Sequence, residues 1–285
     1  MRPILAALLL LISLPLRAQG SGFVGFVDVP GGKLHYEVRG QGPALVLLHD
    51  GLVFSATWDD QMPAFSPHFR TVRYDRRGYG LSEPPREAYS DLDDLHAVLN
   101  ALKIDRAVLV GNSNGSRLAV DYALAHPDRV SGLVLVGPVV TGLPYSEHFL
   151  QRGMENYQPL LREGSQEKLV EAWVQDRYIT DPASARAKER IRALLRKSSG
   201  PMGRKWPRPR DPESAVGRLS QIKVPTLIVV GASDIPDVHA HSGALEAGIP
   251  GSRRVVIAGA GHLVHLEKPE PFNEVVLAFL RPPSR

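Results

Sequence analysis

The chain has 285 residues, with 34 Lys and Arg against 30 Asp and Glu, and no cysteine. That length buries a substantial core, as one large domain or two small ones, and the near-even charge balance gives no argument for a nucleic-acid partner. The missing cysteines exclude disulfides, a thiol nucleophile and any cysteine-ligated metal, which leaves serine as the natural residue for covalent chemistry.

Arg2, the apolar run Ile4 to Leu14, then Pro15 and the small Ala18 before Gln19 form the pattern of a secretory leader over residues 1–18. An exported protein, periplasmic or secreted, is therefore expected. The apolar run falls well short of the ~20 residues that a span requires, so stable membrane insertion is not expected.

From about Phe23 the strands "GFVDV" and "KLHYEV" flank Pro30-Gly31-Gly32, which predicts a hairpin. "PALVLLH" is a near-continuous apolar run, as in a strand covered on both faces, and "FRTVRYD" reads as a fourth strand before the loop "DRRGYGLSEPP". Leu92 to Leu102 has helical periodicity and leads to the strand "RAVLV". The next helix ends near Pro127, and "VSGLVLVG" is another buried strand. Strands alternating with helices predict a mostly parallel sheet with right-handed crossovers.

Between about Gly142 and Ser220 no buried-strand run occurs, only charged helix-like segments, which predicts a helical cap insertion. Within it Thr180-Asp181-Pro182 reads as a helix start, with Asp181 as N-cap and Pro182 at the first helical position. Arg186 to Arg210 holds ten basic residues against one acid, Glu189. Such a run either draws anionic substrates or a membrane surface toward the cap or is a solvated helix face with an exposed loop. The strand pattern resumes at "VPTLIVVG", followed by a helix near Val238 to Ala247, the strand "SRRVVIAG" and a closing helix from Pro269 to Leu280. Neither flank completes a sheet alone, so residues 19–285 read as one domain with an excursion.

Val110-Gly111-Asn112-Ser113-Asn114-Gly115 sets a serine between two glycines where strand gives way to helix. Such a turn lifts the hydroxyl out of the sheet top, and the glycines let the helix backbone pass close to the strand. A serine hydroxyl needs a base, normally a histidine whose other ring nitrogen is held by a carboxylate. Asp234 in "GASDIPD" and His262 after "VVIAGAG" both follow strand C-termini on the edge where Ser113 lies. Asp237 is the rival acid and otherwise the N-cap of the helix after it; His265, His239 and His241 are the rival bases, with His265 otherwise a partly buried neighbour. Asp75 and Arg77 read as a network that fixes their loop, and His49 as a hydrogen-bonding residue at a loop base. No metal cluster and no phosphate-cradling loop appears, so no metal or cofactor is expected.

With "LLHDGLVFSATW", "YDRRGYGLS", "VGNSNG", "GASDIPD" and "GAGHLVHLEKPEPF" in this order, the chain resembles α/β-hydrolase fold enzymes of the serine esterase and lactonase type from about Phe23 to Leu280. The resemblance implies Ser113 as nucleophile, Asp234 as orienting acid and His262 as base. It also implies two backbone donors for the oxyanion, Asn114 and Gly51, with Leu52 the second choice at the latter position. Asp50 stands where many relatives have glycine. A serine at the elbow, in place of the aspartate of dehalogenases and epoxide hydrolases, implies acyl transfer on a small-molecule carboxylic ester or lactone. A carbon–carbon bond hydrolase or cofactor-free perhydrolase would use the same triad, and an exported binding protein would keep the fold without the chemistry.

Overall fold

The computed structural model describes residues 22–198, 206–207, 209–210 and 212–281, so the leader expected over residues 1–18 lies outside the described residues. The strands are β1 (Phe23–Val29), β2 (Gly32–Arg39), β3 (Ala44–Leu48), β4 (Arg70–Tyr74), β5 (Ala107–Asn112), β6 (Val130–Val136), β7 (Thr226–Gly231) and β8 (Arg253–Ile257). They form one sheet in the order β1-β2-β4-β3-β5-β6-β7-β8. The first pair is the expected hairpin, with Val29 opposite Gly32, and β2 joins β4 antiparallel; every later pairing is parallel. The strands that read as unbroken apolar runs are those buried on both faces, and successive residues feed opposite cores.

Helices α1 (Gln61–Phe65), α2 (Asp91–Ala101), α3 (Asn114–Ala125), α7 (Pro236–Gly248), α8 (Val264–Glu267) and α9 (Pro269–Leu280) cover the two faces, while α4 (Glu147–Glu163), α5 (Gln166–Gln175) and α6 (Ala185–Lys197) lie between β6 and β7. On one face Val46, Leu48 and Leu109 pack with Leu95 and Leu99 of α2 and Leu118 of α3. On the other, Leu45, Leu47 and Val110 pack with Met62 and Phe65 of α1 and Phe272 of α9. A third cluster joins Leu169 and Trp173 of α5 and Ile191 of α6 to Leu52 and Leu263, in the loops after β3 and β8. The excursion thus sits on the C-terminal ends of the parallel strands.

Two expected helix starts differ. Helix α6 begins at Ala185, because Asp181 closes a turn: its Oδ1 accepts from the Ala183 amide at 2.9 Å and its carbonyl from that of Ser184 at 2.9 Å. Asp237 is inside the first turn of α7, with Ile235 as N-cap and Pro236 leading the helix. Its buried carboxylate accepts from the Ser146 amide at 2.6 Å and the Ser146 hydroxyl at 2.7 Å, and Ser146 in turn caps α4. Three arginines of the basic segment are paired on the helix: Arg190 with Asp60, Arg192 with Glu171 and Glu189, Arg196 with Glu167. That pairing favours the solvated-face reading.

Asp237→Ala removes both acceptors of Ser146 at once. It should lower the unfolding free energy by about 2 to 4 kcal/mol, at the scale of two hydrogen bonds to a charged group, and chemical denaturation of the two proteins checks this.

Candidate active site

The tight turn between β5 and α3 carries Ser113 at φ 53 and ψ −115, a backbone conformation that side chains rarely adopt and that costs on the order of 1–3 kcal/mol. It persists because helix and sheet are in contact at this point. A Cβ on Gly115 would overlap the carbonyl of Leu48, and one on Gly111 would overlap the Gly115 backbone. The Ser113 amide is tied to the Val136 carbonyl at 2.9 Å, and the amide of Asn114 opens α3, where the helix dipole favours negative charge.

Asp234, in the loop after β7, and His262, in the loop after β8, meet through Asp234 Oδ1 and His262 Nδ1 at 2.9 Å. Both are buried, at 3% and 7% exposure. The carboxylate also accepts from the Ile235 amide at 2.7 Å. Burial alone would push the imidazole below the ordinary histidine range, but the charge and hydrogen bond of Asp234 outweigh it and the pKa is raised. Asp50 adds to that rise and Arg152 opposes it. The His262 backbone is held by the Tyr178 carbonyl, 2.8 Å from its amide, and by Asn112 Nδ2, 3.2 Å from its carbonyl.

Ser113, His262, Asn114, Gly51 and Asp50 line one cavity of about 170 Å³, roofed by Phe149, Arg152, Tyr157 and Trp173 from the excursion. A cavity of this size holds a group on the scale of benzene plus a few atoms. A second cavity, about 190 Å³, beside Arg117 and Asp121, is lined by none of the candidate nucleophile, acid, base or oxyanion residues. The Asn114 side chain packs directly against Gly51, which brings the loop after β3 to the elbow. Asp50 Oδ1 is turned onto the Leu52 and Val53 amides, the latter at 2.9 Å, so the Leu52 N–H is already occupied within its own loop.

The rivals Asp237, His241 and His265 have other partners. Asp237 holds Ser146. His241 accepts from the Val140 amide at 3.0 Å. His265, expected to be partly buried, is wholly buried; it is stacked on Trp58 at 4.0 Å and bonded to Thr57 at 2.8 Å, and burial pushes its pKa down to about 3. His49 links the Asp50 carbonyl at 2.8 Å to the Arg76 amide at 3.0 Å, Asp75 accepts from the Ser55 and Leu81 amides at 3.0 Å each, and Arg77 pairs with Asp94. Three contributors were missed in sequence. Arg152 and Trp173 are scattered helix residues with no motif, and Glu267, within "HLEKPEPF", accepts from the Gly261 and Asp181 amides at 2.7 Å each. Among the described residues no cluster of side chains is suited to a metal ion, and no helix is long and apolar enough to cross a membrane.

Comparison with known proteins gives the family. The alpha/beta hydrolase fold profile matches residues 43–269. A 2-hydroxy-6-oxononadienedioate/2-hydroxy-6-oxononatrienedioate hydrolase of Pseudomonas putida is 31% identical over 265 residues, with 87% of this chain and 92% of that protein covered. Among solved structures, Est816, described as an N-acyl homoserine lactone degrading enzyme, aligns with a TM-score of 0.72 at 28% identity, covering 90% of this chain and 100% of Est816. The enol-lactonase of Burkholderia xenovorans LB400 aligns with a TM-score of 0.74 at 26% identity, covering 90% of this chain and 99% of that one. The eight-stranded, mostly parallel sheet with flanking helices agrees with that profile: the chain belongs to the α/β-hydrolase fold family.

Proposed function

We propose that the protein is a serine hydrolase of carboxylic esters or lactones, with Ser113 as nucleophile, His262 as base and Asp234 as its orienting acid. The observation that carries this reading is the 2.9 Å contact of Asp234 with His262 Nδ1, which leaves Nε2 free for the cavity that Ser113 also lines. Ser113 Oγ attacks the carbonyl carbon while His262 Nε2 takes its proton. The oxyanion forms against the amides of Gly51 and Asn114. Collapse breaks the bond to the alkoxy oxygen, which takes the proton from His262 and leaves as the alcohol. In a lactone that alcohol stays attached to the acyl group. Water, deprotonated by the same imidazole, then attacks the acyl-enzyme and releases the acid and Ser113. The enol-lactonase and Est816 likenesses support this substrate range; the Pseudomonas putida relative favours a carbon–carbon bond hydrolase on the same triad as the second reading.

A fluorophosphonate probe should label Ser113 in the wild type and leave Ser113→Ala unlabelled, with ester turnover reduced at least about a thousandfold in a protein of unchanged stability. An inert wild-type chain would support a binding protein instead. Asp234→Asn should lower kcat by about a thousandfold or more with little change in KM, while Asp237→Asn should act on stability. Because the neutral imidazole is the active form and its pKa is raised, activity should climb with pH through one ionisation centred above the ordinary histidine value. Asp234→Asn should move that midpoint down; a profile flat from acid to neutral pH would exclude a histidine base. Export, proposed from Arg2, the short apolar run and Ala18, predicts a mature chain starting at or near Gln19, read by mass spectrometry of protein from periplasm or medium.

A further inference from the structure

The roof of the Ser113 cavity holds two buried N–H groups with no partner among the described residues, Arg152 Nε and Trp173 Nε1. Unpaired buried donors of this kind are rare, since each forgoes the water it would bond in solution. The two side chains are neighbours: the Arg152 guanidinium carbon lies 5.8 Å from the Trp173 ring, with the Phe149 ring at 5.6 Å and that of Tyr178 at 5.9 Å. This apolar cage strips the guanidinium of solvent and fixes its plane. Arg152 Nη1 is paired with Asp176, but that carboxylate is shared, accepting also from Asn156 Nδ2 at 2.6 Å and the Tyr178 amide at 3.0 Å. Arg152 and Trp173 therefore both border the cavity, and each keeps one buried N–H without a partner among the described residues.

Asp50 borders the same cavity. Asp50 Oδ1 is used by the loop backbone, while Oδ2 is buried without a partner among the described residues.

We propose that Arg152 and Trp173 form an anion subsite, so that the substrate is an ester or lactone carrying a carboxylate, whose oxygens accept from Arg152 Nε and Trp173 Nε1 while the scissile carbonyl lies at Ser113. This rests on the hydrolase reading above and names its substrate class. The size of the cavity limits the group between carboxylate and carbonyl to a few carbon atoms. The carboxylate sits on the acyl or the alcohol side of the ester, and the two arms of the test separate these.

The test compares monomethyl succinate with methyl 4-methylpentanoate, which replaces the carboxylate by an isopropyl group of equal size, and acetoxyacetate with isobutyl acetate. For at least one pair the wild type should favour the anionic ester in kcat/KM by about tenfold or more, the scale of a hydrogen bond to a charged group. Arg152→Met should cut that ratio by about tenfold, mainly through KM, and Trp173→Phe, which keeps the ring and loses the N–H, by about threefold. Trp173→Phe decides the matter if loss of the Asp176 pair unfolds the arginine variant. Protection of Ser113 from fluorophosphonate labelling by the anionic esters, over their neutral partners, reads binding even without turnover. Equal treatment of both members of each pair, or ratios unchanged in both variants, would overturn the subsite while labelling keeps the hydrolase reading intact; a Ser113 that takes no label overturns the hydrolase reading itself.

Discussion

Helix α3 lies against the sheet at Gly111 and Gly115, and the placement of Ser113 follows from that contact. With no side chain at either position the chain reverses within one residue, and the reversal forces Ser113 into its positive φ. The same turn is a junction for hydrogen bonds. Ser116 Oγ donates to the Gly111 carbonyl at 2.5 Å and accepts from the Val136 amide at 3.0 Å, and Asn112 Nδ2 bonds the carbonyls of Val136 and His262. One short segment thus ties β5, β6 and the His262 loop together, which holds strained backbone that an isolated turn would relax.

Around this junction the loops at the strand ends are fastened by carboxylates, buried or half-buried, that accept backbone N–H groups. Asp50 holds Leu52 and Val53, Asp75 holds Ser55 and Leu81, Asp237 holds Ser146, and Glu267 holds Gly261 and Asp181. A carboxylate organises two amides at once in little volume, so the loops stay ordered without filling the cavity. The balance of burial against bonding differs from one to the next. For Asp75 the bonds from His35, Ser55 and Leu81 overcome burial and lower the pKa, whereas burial prevails at Glu267 and lifts it to about 7.

The sheet was legible because its central parallel strands β3, β5, β6 and β7 are apolar on both faces and glycine or proline punctuates their ends. Ser113 and Asp234 stood out because each follows such a strand and His262 because it follows the parallel edge strand β8, so topology carries all three to one end of the sheet. Helix starts in and beside the excursion were less legible. Asp181 and Asp237 both precede or accompany a proline, as an N-cap would, but their carboxylates serve a turn and a distant serine. Such partners depend on tertiary contacts that local pattern does not encode. Arg152 and Trp173 were invisible for the same reason: their position over the cavity is set by how α4 and α5 pack, and a charged or aromatic residue on an amphipathic helix has no distinguishing sequence context.

The excursion does more than cover the cavity. Its segment around Tyr178 and Ile179 accepts the amides of His262 and Leu263, at 2.8 and 3.4 Å, and Glu267 bridges Asp181 to Gly261. The loop that carries the imidazole is therefore hydrogen-bonded on one side to β5, through Asn112, and on the other to the segment between α5 and α6. Asp176, which pairs with Arg152, also bonds the Tyr178 amide. The guanidinium in the roof and the backbone of His262 are consequently anchored two residues apart, on Asp176 and Tyr178. The roof and the loop of His262 are thus joined twice, by the hydrogen-bonded segment from Asp176 to Ile179 and by the apolar cluster of Leu169 and Trp173 with Leu52 and Leu263.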